Sequence, residues 1–196
     1  MSDPRWLIFK DYLTNTKHLD GDIIEVGVHW GNSLSYIGMT CEILGINKTI
    51  YGIDTFEGLP STVVDGLDNG WDINGNPGVG GHWPGNFGDT SLESVRAMMA
   101  RFKNVVLIKG FFPDCATEIL KNKFCFAHID VDIYQSNKDA YELIWPQLVS
   151  GGVIICGDDY GKPWLKGATL AIDEATKKFG IEPVITQNGI HILIKP

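Results

Sequence analysis

Two short segments of the 196-residue chain carry carboxylates at a spacing that suits cation or proton chemistry. An apolar run over residues 124–130 leads into His128-Ile129-Asp130-Val131-Asp132, and another over 152–156 leads into Gly157-Asp158-Asp159-Tyr160. Residues two apart in an extended chain share a face, so Asp130 and Asp132 point the same way and His128 keeps their period. If the two runs are neighbouring strands, their ends lie about 5 Å apart and four carboxylates converge. Like charges that close raise one another's pKa unless something compensates them. A hard divalent cation would do so, because carboxylate oxygens suit Mg²⁺, Mn²⁺ or Ca²⁺. The competing reading is local: Asp158 and Asp159 cap a turn and Asp132 caps the next helix. His128 is either a partner behind the carboxylates or a core histidine, and His191 is expected to be structural.

A second group sits earlier. The run over residues 22–27 ends in Glu25-Val26-Gly27-Val28-His29-Trp30-Gly31-Asn32-Ser33. Gly27 and Gly31 permit a tight turn and close approach of a ligand, and Ser33 can cap the next helix or bond that ligand. The pattern is ExGxxxGxS and lacks the central glycine that makes room for a pyrophosphate in dinucleotide sites. Asp54, at the end of the next apolar run, stands where an acid binds ribose hydroxyls. A nucleoside without a diphosphate fits both features, and S-adenosylmethionine meets that description. Gly110-Phe111 can flank the adenine. Each of these residues also has a plain structural reading as a turn or core position.

These groups need a sheet to position them. Apolar runs at 22–27, 49–54, 105–108, 124–130 and 152–156 read as strands, and amphipathic segments at 33–44, 91–102, 113–122, 137–148 and 166–179 read as helices. Asp3-Pro4 opens a helix that ends near residues 14–17, and Gln187-Asn188-Gly189 separates 183–186 from 190–194 as a hairpin. Strand–helix alternation predicts a doubly wound, mostly parallel α/β sheet of seven strands, Rossmann-like, with one antiparallel strand near the edge. Ligands of such sheets bind at the carboxyl ends of the strands, where both groups fall. Residues 61–90 hold eight of the 23 glycines, with His82, Trp71 and Trp83, and show no strand or helix period. So long a segment predicts a folded lid over the acceptor.

Composition narrows the classes. Residues 1–196 read as a single domain, without repeats or a linker, with 44% apolar and 20% charged residues and a mean hydropathy near zero. A net charge of −8 excludes a basic nucleic-acid footprint. No apolar stretch reaches the roughly 18–20 residues of a membrane span, and the first residues do not form a secretory signal; a cytoplasmic location is expected. Cys41, Cys115, Cys125 and Cys156 lack zinc spacing and read as reduced core thiols. Aromatics in the N-terminal helix and in the lid suggest a homodimer face.

In residues 25–31 (EVGVHWG), 54–60 (DTFEGLP), 110–114 (GFFPD), 128–134 (HIDVDIY) and 158–161 (DDYG), the chain resembles the macrocin O-methyltransferase family, in colinear order across about residues 21–180. That family includes methyltransferases acting on sugars of macrolide and aminocoumarin antibiotics. The resemblance implies a class I S-adenosylmethionine fold and Mg²⁺-dependent methyl transfer to a hydroxyl of a sugar-containing small molecule. By matching positions it implies Asp130, Asp158 and Asp159 as metal ligands, Asp132 as general base, and Glu25, Gly27, Ser33 and Asp54 as cofactor contacts. Two differences bear on the acceptor: only about 20 residues precede the first strand, fewer than in the antibiotic enzymes, and the 61–90 segment has its own composition. A nicotinamide-dependent oxidoreductase and a non-catalytic cofactor-binding module are the competing readings. The missing glycine and the acidic cluster speak against the first, and the presence of all four aspartates against the second.

Overall fold

Phe124–Ile129 is buried at all six positions, as a strand covered on both faces must be, and the rest of the fold is arranged around it. The computed structural model describes residues 5–63, 67–69, 82–158, 160–162 and 165–196. In chain order the elements are α1 (Arg5–Thr16), β1 (Asp22–Val26), α2 (Asn32–Leu44), β2 (Ile50–Asp54), α3 (Leu92–Met99), β3 (Val105–Lys109), β4 (Phe124–Ile129), α4 (Tyr134–Ile144), β5 (Leu148–Cys156), α5 (Lys166–Phe179), β6 (Val184–Ile185) and β7 (His191–Ile194). The strands form one sheet of order β3-β2-β1-β4-β5-β7-β6. The pairings from β3 through β5 are parallel, and β7 runs antiparallel to both β5 and β6. This is the expected doubly wound sheet with its reversed strand one place in from the edge.

Two apolar layers sandwich the sheet. Phe9, Leu34, Ile37, Val95 and Met99 from α1, α2 and α3 pack with Ile23 and Phe126 on one face. Tyr141, Ile144, Ala171 and Ile172 from α4 and α5 pack with Ile24, Val26 and Ile129 on the other. The period-two alternation of β1 places Glu25 on the first face, opposite His128 in register. A one-residue slip of β1 would move Ile24 and Val26 to the wrong layer and break that polar pair.

Several boundaries differ from the sequence reading. The 113–122 helix is two separate 3₁₀ turns, Asp114–Ala116 and Ile119–Lys121. α4 starts at Tyr134, before the expected Asn137, and β5 starts at Leu148, with Ser150 and Gly151 exposed within it. Ser33 is not the cap of α2, because Gly31, at φ 84°, holds that position without a side-chain bond. Ser91 does cap α3, accepting from the Ser94 N–H at 3.1 Å. The Asp3-Pro4 helix start lies outside the described residues. The aromatics of α1 do not form an exposed face: Phe9 is buried and Trp6 stacks on Tyr36 at 4.0 Å, which leaves Leu7 as the exposed apolar residue. No helix among the described residues is long and apolar enough to cross a membrane. Among the four thiols, Cys41, Cys125 and Cys156 are buried and none is in a disulfide.

Candidate active site

A cleft of about 610 Å³ opens at the carboxyl ends of the central strands. Its lining includes Gly27, Ser33, Asp54, Gly110 and Phe111 on one side and Asp130, Asp132 and Asp158 on the other. The two groups read from the sequence therefore meet in one cavity. Asp159 lies outside the described residues.

The β1–α2 turn is shaped by tight contacts. Gly27 has φ 92°, and a Cβ there would overlap the carbonyl oxygen of Asp130, so the ends of β1 and β4 touch through a position only glycine can fill. Asp54 reaches across from β2 into this turn. Its Oδ2 accepts the N–H groups of Val28 and His29, both at 2.8 Å, and its Oδ1 accepts that of Phe56 at 2.7 Å. A carboxylate has about four acceptor positions, so most of its capacity holds the turn. Asp54 faces the cleft, but its first task is to hold this turn.

Glu25 departs from the expectation of a direct cofactor contact. Its side chain is fully buried under the cleft, accepts from His128 Nδ1 at 2.7 Å, and is not part of the lining. The cause is strand periodicity: Glu25 faces α1, where the Phe9 ring packs edge-on against His128 at 4.8 Å. His128 is thus a core residue, paired with Glu25 behind the strand end that carries Asp130. His191 is 4% exposed, packed against Tyr160 and bonded to the Gly189 carbonyl oxygen, as a structural histidine should be.

The acidic group has partners that the sequence did not announce. Asp130 Oδ2 accepts from Arg5 Nη1 at 2.9 Å, and the same nitrogen stands 3.8 Å from Asp158 Oδ1. Lys162 Nζ approaches the other Asp158 oxygen at 3.4 Å. Burial pushes the Asp130 carboxyl above the ordinary range; Asp132 and Asp158 add to the rise, while His128 and Arg5 oppose it. A Cβ on Gly157 would overlap Asp130 Oδ1, so glycine there lets the two strand ends close on each other.

Asp132 does not cap α4. It adopts φ 59°, a left-handed conformation costly for a non-glycine residue, and its Oδ1 lies 3.0 Å from His82 Nε2. An ionised carboxylate only accepts, so His82 Nε2–H is the donor. The α4 terminus is served by Asp68, whose Oδ1 accepts the Tyr134 N–H at 2.7 Å. Asp68 is fully buried, its carbonyl accepts the His82 N–H at 2.9 Å, and the neighbouring Leu67 carbonyl accepts the Gly167 N–H at 3.0 Å. The base of the 61–90 segment is thereby tied to α4 and α5. Its far end is tied to the β1–α2 turn, where His29 Nε2 meets Asp89 Oδ1 at 2.9 Å and Trp30 Nε1 donates to the Asp89 carbonyl at 3.2 Å. Trp83 is exposed beside this seam, and Trp71 lies outside the described residues. Arg5, His82 and Asp68 are site residues that sequence reasoning missed. A cation at the start of α1 and one histidine in a glycine-rich stretch carried the signal for the first two.

A family model described as macrocin O-methyltransferase matches residues 12–190. The chain belongs to the macrocin O-methyltransferase family. It is 26% identical over 174 residues to the 8-demethyl-8-(2,3-dimethoxy-alpha-L-rhamnosyl)-tetracenomycin-C 4'-O-methyltransferase of Streptomyces olivaceus, covering 85% of this chain and 62% of that protein. It is 24% identical over 182 residues to the demethyldecarbamoylnovobiocin O-methyltransferase of Streptomyces niveus, covering 89% and 66%. The chain thus spans just under two thirds of the length of these two relatives. Among solved structures, the O-methyltransferase NovP superposes with a TM-score of 0.79 at 21% identity, covering 97% of this chain and 79% of that one. The calicheamicin methyltransferase CalS11 gives 0.75 at 21%, covering 97% and 78%. At these identities the likeness shows the fold, a class I methyltransferase sheet.

Proposed function

We propose that this member of the macrocin O-methyltransferase family transfers the methyl group of S-adenosylmethionine to a hydroxyl of a sugar-bearing small molecule. The observation that carries the reading is the meeting, in one cleft, of the Gly27–Asp54 turn with Asp130, Asp132 and Asp158. The first relative named above supports the acceptor class, since its name gives a rhamnosyl-bearing substrate. The nicotinamide reading finds no support in the family match.

The donor set suits a hard cation. Asp130 and Asp158 offer only oxygen, and a single cationic nitrogen already stands within 4 Å of both. Asp130 and Asp158, with Asp159, would hold the ion, which when bound would lower the pKa of an acceptor hydroxyl. The remaining work belongs to the chain. The β1–α2 turn, held by Asp54, would hold the cofactor together with Gly27, Ser33, Gly110 and Phe111, all of which line the cleft. Asp132 accepts the hydroxyl proton as the oxygen attacks the methyl carbon; the C–O bond forms, the C–S bond breaks, and S-adenosylhomocysteine leaves neutral at sulfur. His82, donating to Asp132, fixes the plane of that carboxylate.

Calorimetry with S-adenosylhomocysteine, followed by transfer of labelled methyl to a panel of glycosides including p-nitrophenyl α-L-rhamnopyranoside, tests the reading. Binding, with transfer that EDTA abolishes, is the expected result. Absence of binding to the folded protein refutes the methyltransferase reading. Binding without transfer to any glycoside favours the non-catalytic module, and transfer indifferent to EDTA removes the metal.

A further inference from the structure

Arg5 is the first residue of α1, yet its guanidinium reaches the far side of the cleft to stand between Asp130 and Asp158. The helix behind it does not depend on that reach. Phe9 and Leu13 are buried in the core, and Trp6 stacks on Tyr36. The Arg5 side chain can therefore leave the carboxylates while α1 stays docked. The position it takes is also the one that the proposed cation would need, because both want the inner oxygens of the same two strand-end carboxylates. Guanidinium and a divalent ion at one carboxylate pair repel each other, so the two cannot share it at full strength.

We infer that Arg5 is an internal counter-cation that competes with the divalent ion for Asp130 and Asp158 and so sets the metal affinity of this chain. The inference rests on the metal-dependent reading above and deepens it. Without metal, Arg5 neutralises Asp130, the more enclosed carboxylate of the two, at 22% exposure against 57%. Metal entry must displace it, so the observed affinity is the intrinsic affinity reduced by the strength of the Arg5 pair. Lys162 provides an internal comparison. It carries the same charge in the same cleft and meets the exposed Asp158 at 3.4 Å, where solvent screens the pair.

The test is Mn²⁺ titration, read by electron paramagnetic resonance, on the wild-type chain and on Arg5→Gln, Lys162→Gln and Asp130→Asn, each first shown to bind S-adenosylhomocysteine. Arg5→Gln is expected to bind Mn²⁺ at least about tenfold more tightly than wild type, whereas Lys162→Gln changes by less than about threefold. Arg5→Lys, which keeps the charge, serves as the second variant and should stay within about threefold of wild type. Saturating Mn²⁺ should also raise the melting temperature of Arg5→Gln more than that of wild type. Equal or weaker Mn²⁺ binding in Arg5→Gln, with binding lost in Asp130→Asn, overturns the inference and leaves the metal site standing. Equal tightening by Arg5→Gln and Lys162→Gln also overturns it, since net charge alone would then explain both. Mn²⁺ binding no better than that of Asp130→Asn in every variant removes the metal reading together with the inference.

Discussion

Asp54→Asn separates two roles that a ribose-binding acid and a turn-building acid would otherwise share. In the wild-type chain, Asp54 accepts three backbone N–H groups at 2.7–2.8 Å, two from the β1–α2 turn and one from Phe56. A hydrogen bond to a charged acceptor contributes about 1.5–3 kcal/mol, and a neutral one about 0.5–1.5 kcal/mol. The amide of asparagine has a single acceptor oxygen. It can serve the Val28 and His29 pair or Phe56, and its NH₂ then faces the N–H groups left behind. Loss of charge on the bonds retained, loss of at least one bond and the new donor–donor contact together cost about 2–4 kcal/mol after allowance for partial exposure. At about 3 °C per kcal/mol for a domain of this size, the ligand-free melting temperature should fall by roughly 6–12 °C. Differential scanning calorimetry without ligand measures this, and titration with S-adenosylhomocysteine measures the loss of affinity. If affinity collapses while the ligand-free melting temperature stays within about 2 °C of wild type, Asp54 acts on the ligand alone and the turn-building argument is wrong.

Other consequences are direct. Gly27→Ala places a Cβ on the Asp130 carbonyl oxygen and should cost at least about 3 kcal/mol or abolish cofactor binding; a stable variant with wild-type affinity in calorimetry would contradict that contact. Asp132→Asn should bind S-adenosylhomocysteine as wild type does while single-turnover methyl transfer slows by roughly 10²–10⁴, and an unchanged rate would remove Asp132 from proton transfer. Burial pushes the thiols of Cys41 and Cys156 up to about 12. A group so raised stays protonated as pH climbs toward that value, so at pH 8 only about 10⁻⁴ of each is thiolate. Iodoacetamide should label neither in the native protein at pH 8 and both after denaturation, as peptide mass mapping would show.

The parts legible from sequence are those set by local pattern. The almost continuously apolar run at Phe124–Ile129, broken by His128, reads as a doubly covered strand, and once strands and helices alternate, handedness and the location of ligand sites follow. That is why Gly27, Asp54, Asp130, Asp132 and Asp158 could be placed in one cleft from their strand-end positions alone. The 113–122 segment was less legible. Its apolar spacing suits a helix, yet the chain forms two 3₁₀ turns there, a tertiary override of propensity that no window of sequence contains.

What stayed hidden is contact between residues far apart in the chain. Arg5 meets Asp130 across 125 positions, Glu25 meets His128 across 103, and His82 meets Asp132 across 50. Arg5 and His82 do not read as chemistry in the sequence, and Glu25 and His128 both stand out there but not as partners of each other. Glu25 shows why this matters for reading function. Its place in a cofactor motif suggests contact with the ligand, yet the period-two alternation of β1 that seats Ile24 and Val26 in one core layer forces Glu25 into the other, beneath the site. There it pairs with His128, two residues before Asp130 along the chain, so a motif residue bears on the carboxylate cluster through a histidine. Glu25→Gln should therefore alter divalent-ion affinity at Asp130 more than affinity for S-adenosylhomocysteine. Calorimetric titration of the variant with each in turn decides this, and a selective loss of S-adenosylhomocysteine binding would restore Glu25 to the cofactor contacts.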